Sequence, residues 1–335
     1  MSDCTTIQHP AAMERIGIVV IGRNEGHRLV GCLASLQGLI RKTVYVDSGS
    51  TDGSVARAER MGARVVKMER GDRFSAAKAR NLGYRQLMRE APETAFVQFV
   101  DGDCLLDPDW ICAAVGFLLL NPAVALVCGR RRERRPQTSV YNAMCDREWD
   151  GPLGEIEECG GDFLARVEAF DEVGGFAAHL IAGEEPELCV RLRENGWRIW
   201  RIAAEMTSHD ANILHFSQWW RRTVRGGHAF AQIEAMHRTS EHGLWRRNVR
   251  RALFWGGLAP ALILAAPFAG QWVLAGLVAY PLQWARLVLR ERNYTREGLA
   301  RAGLLVVGKL AELQGIAMFY SSRLRRRDTA LIEYK

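Results

Sequence analysis

The chain has 335 residues, of which 48% are hydrophobic and 25% charged, a balance that excludes a disordered chain and fits a protein with a buried core. A net charge of +7 points to anionic partners: nucleic acid, nucleotide phosphates or anionic lipid. The 8 cysteines fall between Cys4 and Cys189 with no CxxC pair and no repeated spacing, which argues against a zinc site or a disulfide framework and for reduced, packed thiols.

The start, Met1 to Gln8, lacks a basic stretch followed by an apolar one, so no secretory signal is expected and the catalytic part should stay in the cytosol. Ile16 to Ile21 is a continuous apolar run and reads as a buried strand; Gly22-Arg23-Asn24-Glu25 then leads into a helix with Leu29, Leu33 and Leu36 on one face. This turn has neither GxGxxG nor a Gly-rich run ending in Gly-Lys-Ser/Thr, which excludes a dinucleotide fingerprint and a P-loop. A second strand, Thr43 to Val46, ends at Asp47 before Ser48-Gly49-Ser50-Thr51-Asp52-Gly53-Ser54, a loop of turn formers and cap residues. A carboxylate at that edge either accepts hydrogen bonds from a base or ribose or simply caps the next helix.

A third strand, Ala63 to Val66, precedes a helical stretch, Phe74 to Gly83, whose small residues permit close packing on a sheet. Its cations Lys78 and Arg80 either meet a diphosphate or form a solvated face. Phe96 to Val100 is a further buried strand, and Asp101-Gly102-Asp103 sets two carboxylates at its end. A hard cation such as Mg²⁺ or Mn²⁺ prefers oxygen ligands shared with substrate phosphates, so the pair suggests a metal–diphosphate site; the plainer reading is a polar turn. Alternating strands and helices predict a parallel sheet wrapped by helices.

Four stretches, Val19 to Glu25, Val46 to Gly53, Ala77 to Gly83 and Asp101 to Asp103, occur in the order and spacing of family-2 glycosyltransferases, which the chain resembles over about its first 230 residues. The resemblance implies an α/β GT-A fold, Rossmann-like with a mostly parallel sheet. It also implies a nucleotide-diphosphate sugar donor, a divalent metal (Mg²⁺ or Mn²⁺) and an inverting displacement at the anomeric carbon. By this resemblance Arg23, Glu25, Asp47, Ser48, Lys78, Arg80 and Asp101 lie on the donor side, Asp47 at the nucleoside and Asp101 at the ribose or metal, with Asp103 a metal ligand.

Beyond the metal motif, Pro108 to Leu120 reads as a helix and Ala123 to Val127 as a strand, followed by a basic patch, Arg130 to Arg135, taken as a solvated edge. The glycines of Gly160-Gly161-Asp162 and Val173-Gly174-Gly175-Phe176 permit close backbone approach. A similar Gly-rich segment lines the acceptor side in the family, which makes Asp162 a site residue, the alternative being a turn aspartate. Gly183 to Leu192 begins a helix, with Pro186 in the first turn and carboxylates at the positive end of the dipole. The family carries an acidic pair there, so the resemblance makes Glu185 the base that deprotonates the acceptor, beside Glu184, although many relatives have the shorter Asp.

A strand is expected between Trp197 and Ile202. Gln218 and Arg221 then match two positions of the Gln-x-x-Arg-Trp segment of processive relatives such as cellulose synthases, and are placed on the acceptor side. Arg222 stands where the tryptophan would be, which argues against a processive polymerase. His209 either completes the metal shell, as a late histidine does in some GT-A enzymes, or is structural.

From Ala252 to Ala285 there is no charged residue, and Pro260, Pro267 and Pro281 interrupt the run. Halved, it gives two segments of roughly 17 residues, near the short limit for crossing a bilayer, so a hairpin over 252–289 is expected. Flanking arginines, Arg246, Arg247, Arg250 and Arg251 before it and Arg286, Arg290 and Arg292 after it, put both ends on the cytosolic side. The segment about 297–322 reads as an amphipathic helix with a basic tail for an anionic membrane surface, or as a helix packed on the catalytic domain.

The expected organisation is a tail at 1–14, a catalytic domain at 15–245 and a membrane-associated helical region at 246–335. Together these readings describe an enzyme at the cytoplasmic face of the inner membrane, adding sugar to a lipid-linked or glycan acceptor in polysaccharide or glycolipid synthesis. A catalytically silent nucleotide-sugar-binding membrane protein is the alternative, disfavoured by the complete metal motif and acidic pair. Nucleic-acid binding is not expected, because the basic residues do not alternate with aromatics on one recognisable module.

Overall fold

The buried apolar runs pair into one nine-stranded sheet in the computed structural model, which describes residues 10–69 and 74–325. Cys4 and the rest of the tail before Pro10, and the basic tail from Arg326 on, lie outside the described residues. The strands are β1 (Ile16–Gly22), β2 (Thr43–Asp47), β3 (Arg64–Lys67), β4 (Phe96–Asp101), β5 (Cys104–Leu106), β6 (Val124–Glu133), β7 (Gly154–Glu155), β8 (Phe163–Arg166) and β9 (Arg198–His209). Their order is β3-β2-β1-β4-β8-β6-β9-β5, with β7 paired to β9. The first four are mutually parallel, as helical crossovers require, while β8 runs antiparallel to β4 and β6, so the sheet is mixed beyond β4.

The chain divides into two units, one holding the residues up to Arg135 and Cys145–Ala211, the other Pro136–Met144 and Asn212 onward. In the first, β1 and β4 are buried on both faces, which is why they read as unbroken apolar runs rather than alternating ones. Register does the positioning: Ile21 lies opposite Asp101 and Gly22 opposite Asp47, so both aspartates end flush at the carboxyl edge beside β1. Ser75 caps the helix Ala76–Glu90 by accepting the Lys78 N–H, and Gly83 lets that helix close on the sheet. A Cβ on Gly83 would sit 2.5 Å from Val19 Cγ1, so a side chain there would push the helix and its Arg80 outward.

Several elements run further than expected. The strand foreseen at 123–127 continues to Glu133, because β9 pairs along it with Arg131 opposite Thr207 and Glu133 opposite His209; the basic run is therefore sheet as far as Glu133, and of that run only Arg134 and Arg135 beyond it are exposed. The strand foreseen to end at Ile202 extends to His209, and the Gly-rich segment after Asp162 contains β8.

In the second unit the helices are Phe216–Met236, Arg246–Ala269, Ala279–Glu291 and Arg296–Leu324, with a 3-10 segment Gln271–Val278 before the third. Arg246–Ala269, Gln271–Glu291 and Arg296–Leu324 are each long and apolar enough to cross a membrane. The last of these, expected to be amphipathic, meets that measure as well as the two limbs of the hairpin do.

The sheet is locked where Phe99 of β4 meets Phe163, Phe170 and Phe176 at centroid separations of 5.2, 5.3 and 5.3 Å. Truncation of Phe99 to Ala should lower the unfolding free energy of the first unit by about 3–5 kcal/mol, the usual loss for a buried phenylalanine. A thermal-unfolding midpoint unchanged from the parent chain would mean that the aromatic cluster does not hold the sheet.

Candidate active site

Arg80, placed by its helix against the end of β4, is 2% exposed and joins three carboxylates. Its guanidinium donates to Asp101 Oδ1 at 2.8 Å, Glu184 Oε1 at 2.9 Å and Glu185 Oε1 at 2.8 Å, and lies over the Phe176 ring. Burial alone would make the cation easier to discharge, but Glu185, Asp101 and Glu184 outweigh it and hold Arg80 charged. Arg80 was expected to meet a diphosphate; in the structure its Nη1 and Nη2 groups donate to its own carboxylate cluster. Lys78, two residues earlier on the same helix and half-buried, faces another way.

Asp101 ends β4, and its second oxygen accepts from Arg131 at 3.4 Å. Burial pushes this carboxyl up, yet Arg80 and Arg131 together keep it below the usual carboxylate range. Asp103, two residues on, is buried and lies 3.1 Å from His209 Nε2 at the end of β9. One ligand atom each from Asp101, Asp103, Cys104 and His209 lies within 4.8 Å of the others, a spacing that can surround a single cation. The strand pairing explains why: Cys104 opposes His209 in the β5–β9 ladder, so residues distant in sequence meet at one edge.

Glu184 and Glu185 open the helix Glu184–Glu194, whose positive end favours their charge. Burial, then the neighbouring Glu184, push the Glu185 carboxyl up to about 7, with Arg80 opposing them. Gly161 leaves the space that this crowding needs. A Cβ there would fall 2.9 Å from Asp101 Oδ2 and 3.1 Å from Glu185 Oε1.

Asp162, expected on the acceptor side, is 1% exposed. It accepts the Asp101 N–H at 2.9 Å, the Thr207 hydroxyl at 2.8 Å and the Cys104 thiol at 3.2 Å, so it braces Asp101 from behind. Asp47 is likewise turned to its own loop, accepting the Gly49 and Ser50 N–H groups and the Tyr45 hydroxyl. Ser48 donates its N–H to Gly22 O, Glu25 pairs with Arg28, and Arg23 lies over the Phe74 ring, all on the β1–β2 side of the edge. Gln218 and Arg221 belong to the second unit: Gln218 caps the helix Phe216–Met236 by accepting the Leu214 and His215 N–H groups, and Arg221 donates to Ser217 O.

Two residues escaped sequence reasoning. Arg131 reaches Asp101 and, at 3.5 Å, Asp162, and its guanidinium covers the ring of Trp149 at 4.8 Å. Trp149 in turn packs edge-on against His209 with centroids 4.6 Å apart, so one indole fixes both the cation and the imidazole. No alternation marks Arg131 in advance: Val124 to Gly129 are all buried and the register of β6 shifts just before it. Nothing local marks Trp149.

Residues 17–174 match the family described as Glycosyl transferase family 2. The chain is 26% identical over 303 residues to the pre-mycofactocin glycosyltransferase of Mycobacterium tuberculosis, covering 84% of this chain and 60% of that protein. It is 28% identical over 183 residues to the succinoglycan biosynthesis protein ExoA of Rhizobium meliloti, covering 50% of this chain and 53% of that one. The chain therefore spans little more than half the length of these curated relatives. Its fold is similar to that of the mannosyltransferase PcManGT from Pyrobaculum calidifontis, solved with GDP-Man and Mn²⁺, with a TM-score of 0.62 and 18% identity over 90% of this chain and 86% of that one.

Replacing Arg80 by Met would leave three carboxylates facing one another without their shared cation. The variant should lose about 3–5 kcal/mol of stability at alkaline pH, the usual loss when one member of a buried ion pair is removed. Acid should return part of it, because protonation discharges the carboxylates that repel. Equal losses at acid and alkaline pH, read from unfolding midpoints, would show that the cluster is not governed by charge.

Proposed function

From the match of residues 17–174 to Glycosyl transferase family 2 and a fold like that of a GT-A enzyme, we propose that the chain moves a sugar from a nucleotide-diphosphate donor to an acceptor hydroxyl with inversion at the anomeric carbon. The observation that carries this reading is the Arg80 cluster, which ties a metal-competent aspartate to a glutamate whose proton affinity suits a base at neutral pH.

Asp101, Asp103 and His209 would hold Mg²⁺ or Mn²⁺; carboxylate oxygens and an imidazole suit such a cation, and their spacing fits one ion. When bound, the cation would offset charge on the departing diphosphate. The remaining work falls to the chain. Asp162 and Arg131 keep Asp101 oriented, and Trp149 keeps His209 in place. Glu185 takes the proton from the acceptor hydroxyl as its oxygen bonds the anomeric carbon and the bond to the diphosphate oxygen breaks. Arg80 holds Glu185 at that spot and acts as a positioning group rather than as a phosphate ligand. Lys78 supplies the donor-side cation, and the loop built on Asp47 receives the nucleoside.

The acceptor in this reading is lipid-linked or a glycan, met at the cytoplasmic face of the inner membrane. The apolar helices after Arg246 support that reading by length and composition, with 15–245 as the catalytic domain and 246–335 as the membrane-associated region. A relative named for succinoglycan biosynthesis is compatible with polysaccharide synthesis. The binding of GDP-Man and Mn²⁺ by the Pyrobaculum protein is compatible with a nucleotide-sugar donor and a divalent metal.

The direct test is a panel of nucleotide sugars incubated with the full chain and a divalent cation, reading slow donor hydrolysis. Release of nucleoside diphosphate from one donor, abolished by chelation, is the expected result; hydrolysis of none would leave the transferase reading without a substrate.

Asp103→Asn should remove metal-dependent donor binding, since the amide lacks the charge that a divalent cation needs. Undiminished metal dependence in calorimetry would displace Asp103 from the metal site.

Glu185→Gln should bind donor normally while transfer slows by about 10²–10⁴-fold, the usual loss for a general base. In the parent chain only the carboxylate form can accept the proton, and its affinity is raised to about 7. Below that pH kcat/KM should fall about tenfold per unit, and above it level off. A profile flat through neutrality would move the base elsewhere.

A further inference from the structure

We propose that residues 252–285 cross a bilayer out and back as a hairpin, and that the helix Arg296–Leu324, although apolar enough to cross, stays on the arginine side. The inference deepens the membrane reading above and rests on it.

From Gly257 to Leu287 no residue is buried, while Phe268 is 93% exposed and Trp272 86%. Such a stretch has no place in water, and its flanks say what covers it. Arg246, Arg247, Arg250 and Arg251 on the outgoing limb and Arg286 and Arg290 on the returning one are all exposed, a collar suited to phosphate headgroups. The occupant is therefore a lipid bilayer rather than a second protein.

The limbs satisfy one another. The Tyr280 hydroxyl donates to Trp255 O at 2.7 Å and accepts the Ala259 N–H at 3.0 Å, and Leu262 lies against Gly276. From Ala252 to Ala269 is about 27 Å at helical rise, and the 3-10 plus helical return from Gln271 to Ala285 is about 26 Å, both close to the roughly 30 Å of a hydrocarbon core. The tip decides between crossing and re-entry. Gly270 has φ 84°, and Gln271 and Trp272 follow it, both exposed. Irregular, lipid-exposed backbone does not persist inside hydrocarbon, whereas an interface accepts it and favours tryptophan. The tip thus reaches the far interface.

The last helix is held differently. Its line of Gly308, Ala311 and Gly315 closes on the helix Phe216–Met236: a Cβ on Gly315 would strike Val224 O, and one on Gly227 would strike Glu312 O. Trp220 Nε1 donates to Gln314 Oε1 at 2.9 Å. That partner helix carries Arg221, Arg222 and Arg225, and the last helix has its own Lys309–Glu312 ion pair near its middle. Sinking the pair would take all of these charges into hydrocarbon, which the uncharged hairpin avoids.

The test uses the full chain in sealed, right-side-out membrane vesicles and a membrane-impermeant maleimide, with wild-type labelling subtracted. Gln271→Cys should label to the same extent before and after lysis, and Trp272→Cys serves should that variant not accumulate. Arg286→Cys and Ser321→Cys should label only after lysis. A Gln271→Cys tip reached only after lysis would make the hairpin re-entrant and overturn the proposal, as would a Ser321→Cys site labelled in sealed vesicles. Release of the wild-type chain by washing without detergent is a different failure, one that removes the membrane reading itself.

Discussion

A guanidinium sealed from water beside three carboxylates governs the first unit. Burying Arg80 is costly, and the cost is met only if its donors are filled by anions fixed in place. The requirement runs outward from there. Asp101 must end β4 flush with the edge, the helix bearing Glu184 and Glu185 must start opposite it, and Gly161 must lack a side chain between them. Arg80 therefore couples the two ends of the site mechanically as well as electrically: a shift of Asp101 is felt at Glu185 through one shared cation.

The charge balance of this cluster also explains its chemistry. Asp101, Asp162, Glu184 and Glu185 pair with Arg80 and Arg131, and Asp103 pairs with His209, so the carboxylates outnumber the guanidiniums and negative charge is in excess. Burial first, and then this excess through Glu184 and Asp101, raises the proton affinity of Glu185, and the excess leaves the Asp101–Asp103 end electrically suited to a dication.

What could be read from the sequence was what is local. Asp101-Gly102-Asp103 after an apolar strand, and Asp47 after another, announce an edge, and flush parallel register follows once both strands are buried. The carboxylate partners of Arg80 could not be foreseen, because a helix of small and charged residues shows an apolar face toward the sheet and leaves its cations to solvent by default, and its partner Glu184 is 104 residues away. Arg131 was hidden in a run of like charge, where alternation along β6 sends neighbours to opposite sides: Arg132 outward to Asp146, Arg131 inward to Asp101. Asp47 and Asp162 were expected to face ligand, and in the structure their oxygens accept from backbone and hydroxyl donors of the fold, contacts that no local pattern announces.

The glutamate at 185, where family resemblance leads one to expect the shorter aspartate, is accommodated by these same contacts. An extra methylene carries the carboxylate further from the backbone, and in a closed site it would need room that neighbouring side chains usually fill. Here the room comes from Gly161, whose missing Cβ would stand 3.1 Å from Glu185 Oε1, and the reach is held by Arg80 at 2.8 Å. Length, glycine and guanidinium are thus one arrangement: an aspartate in place of Glu185 would fall short of Arg80, and a larger residue in place of Gly161 would displace both.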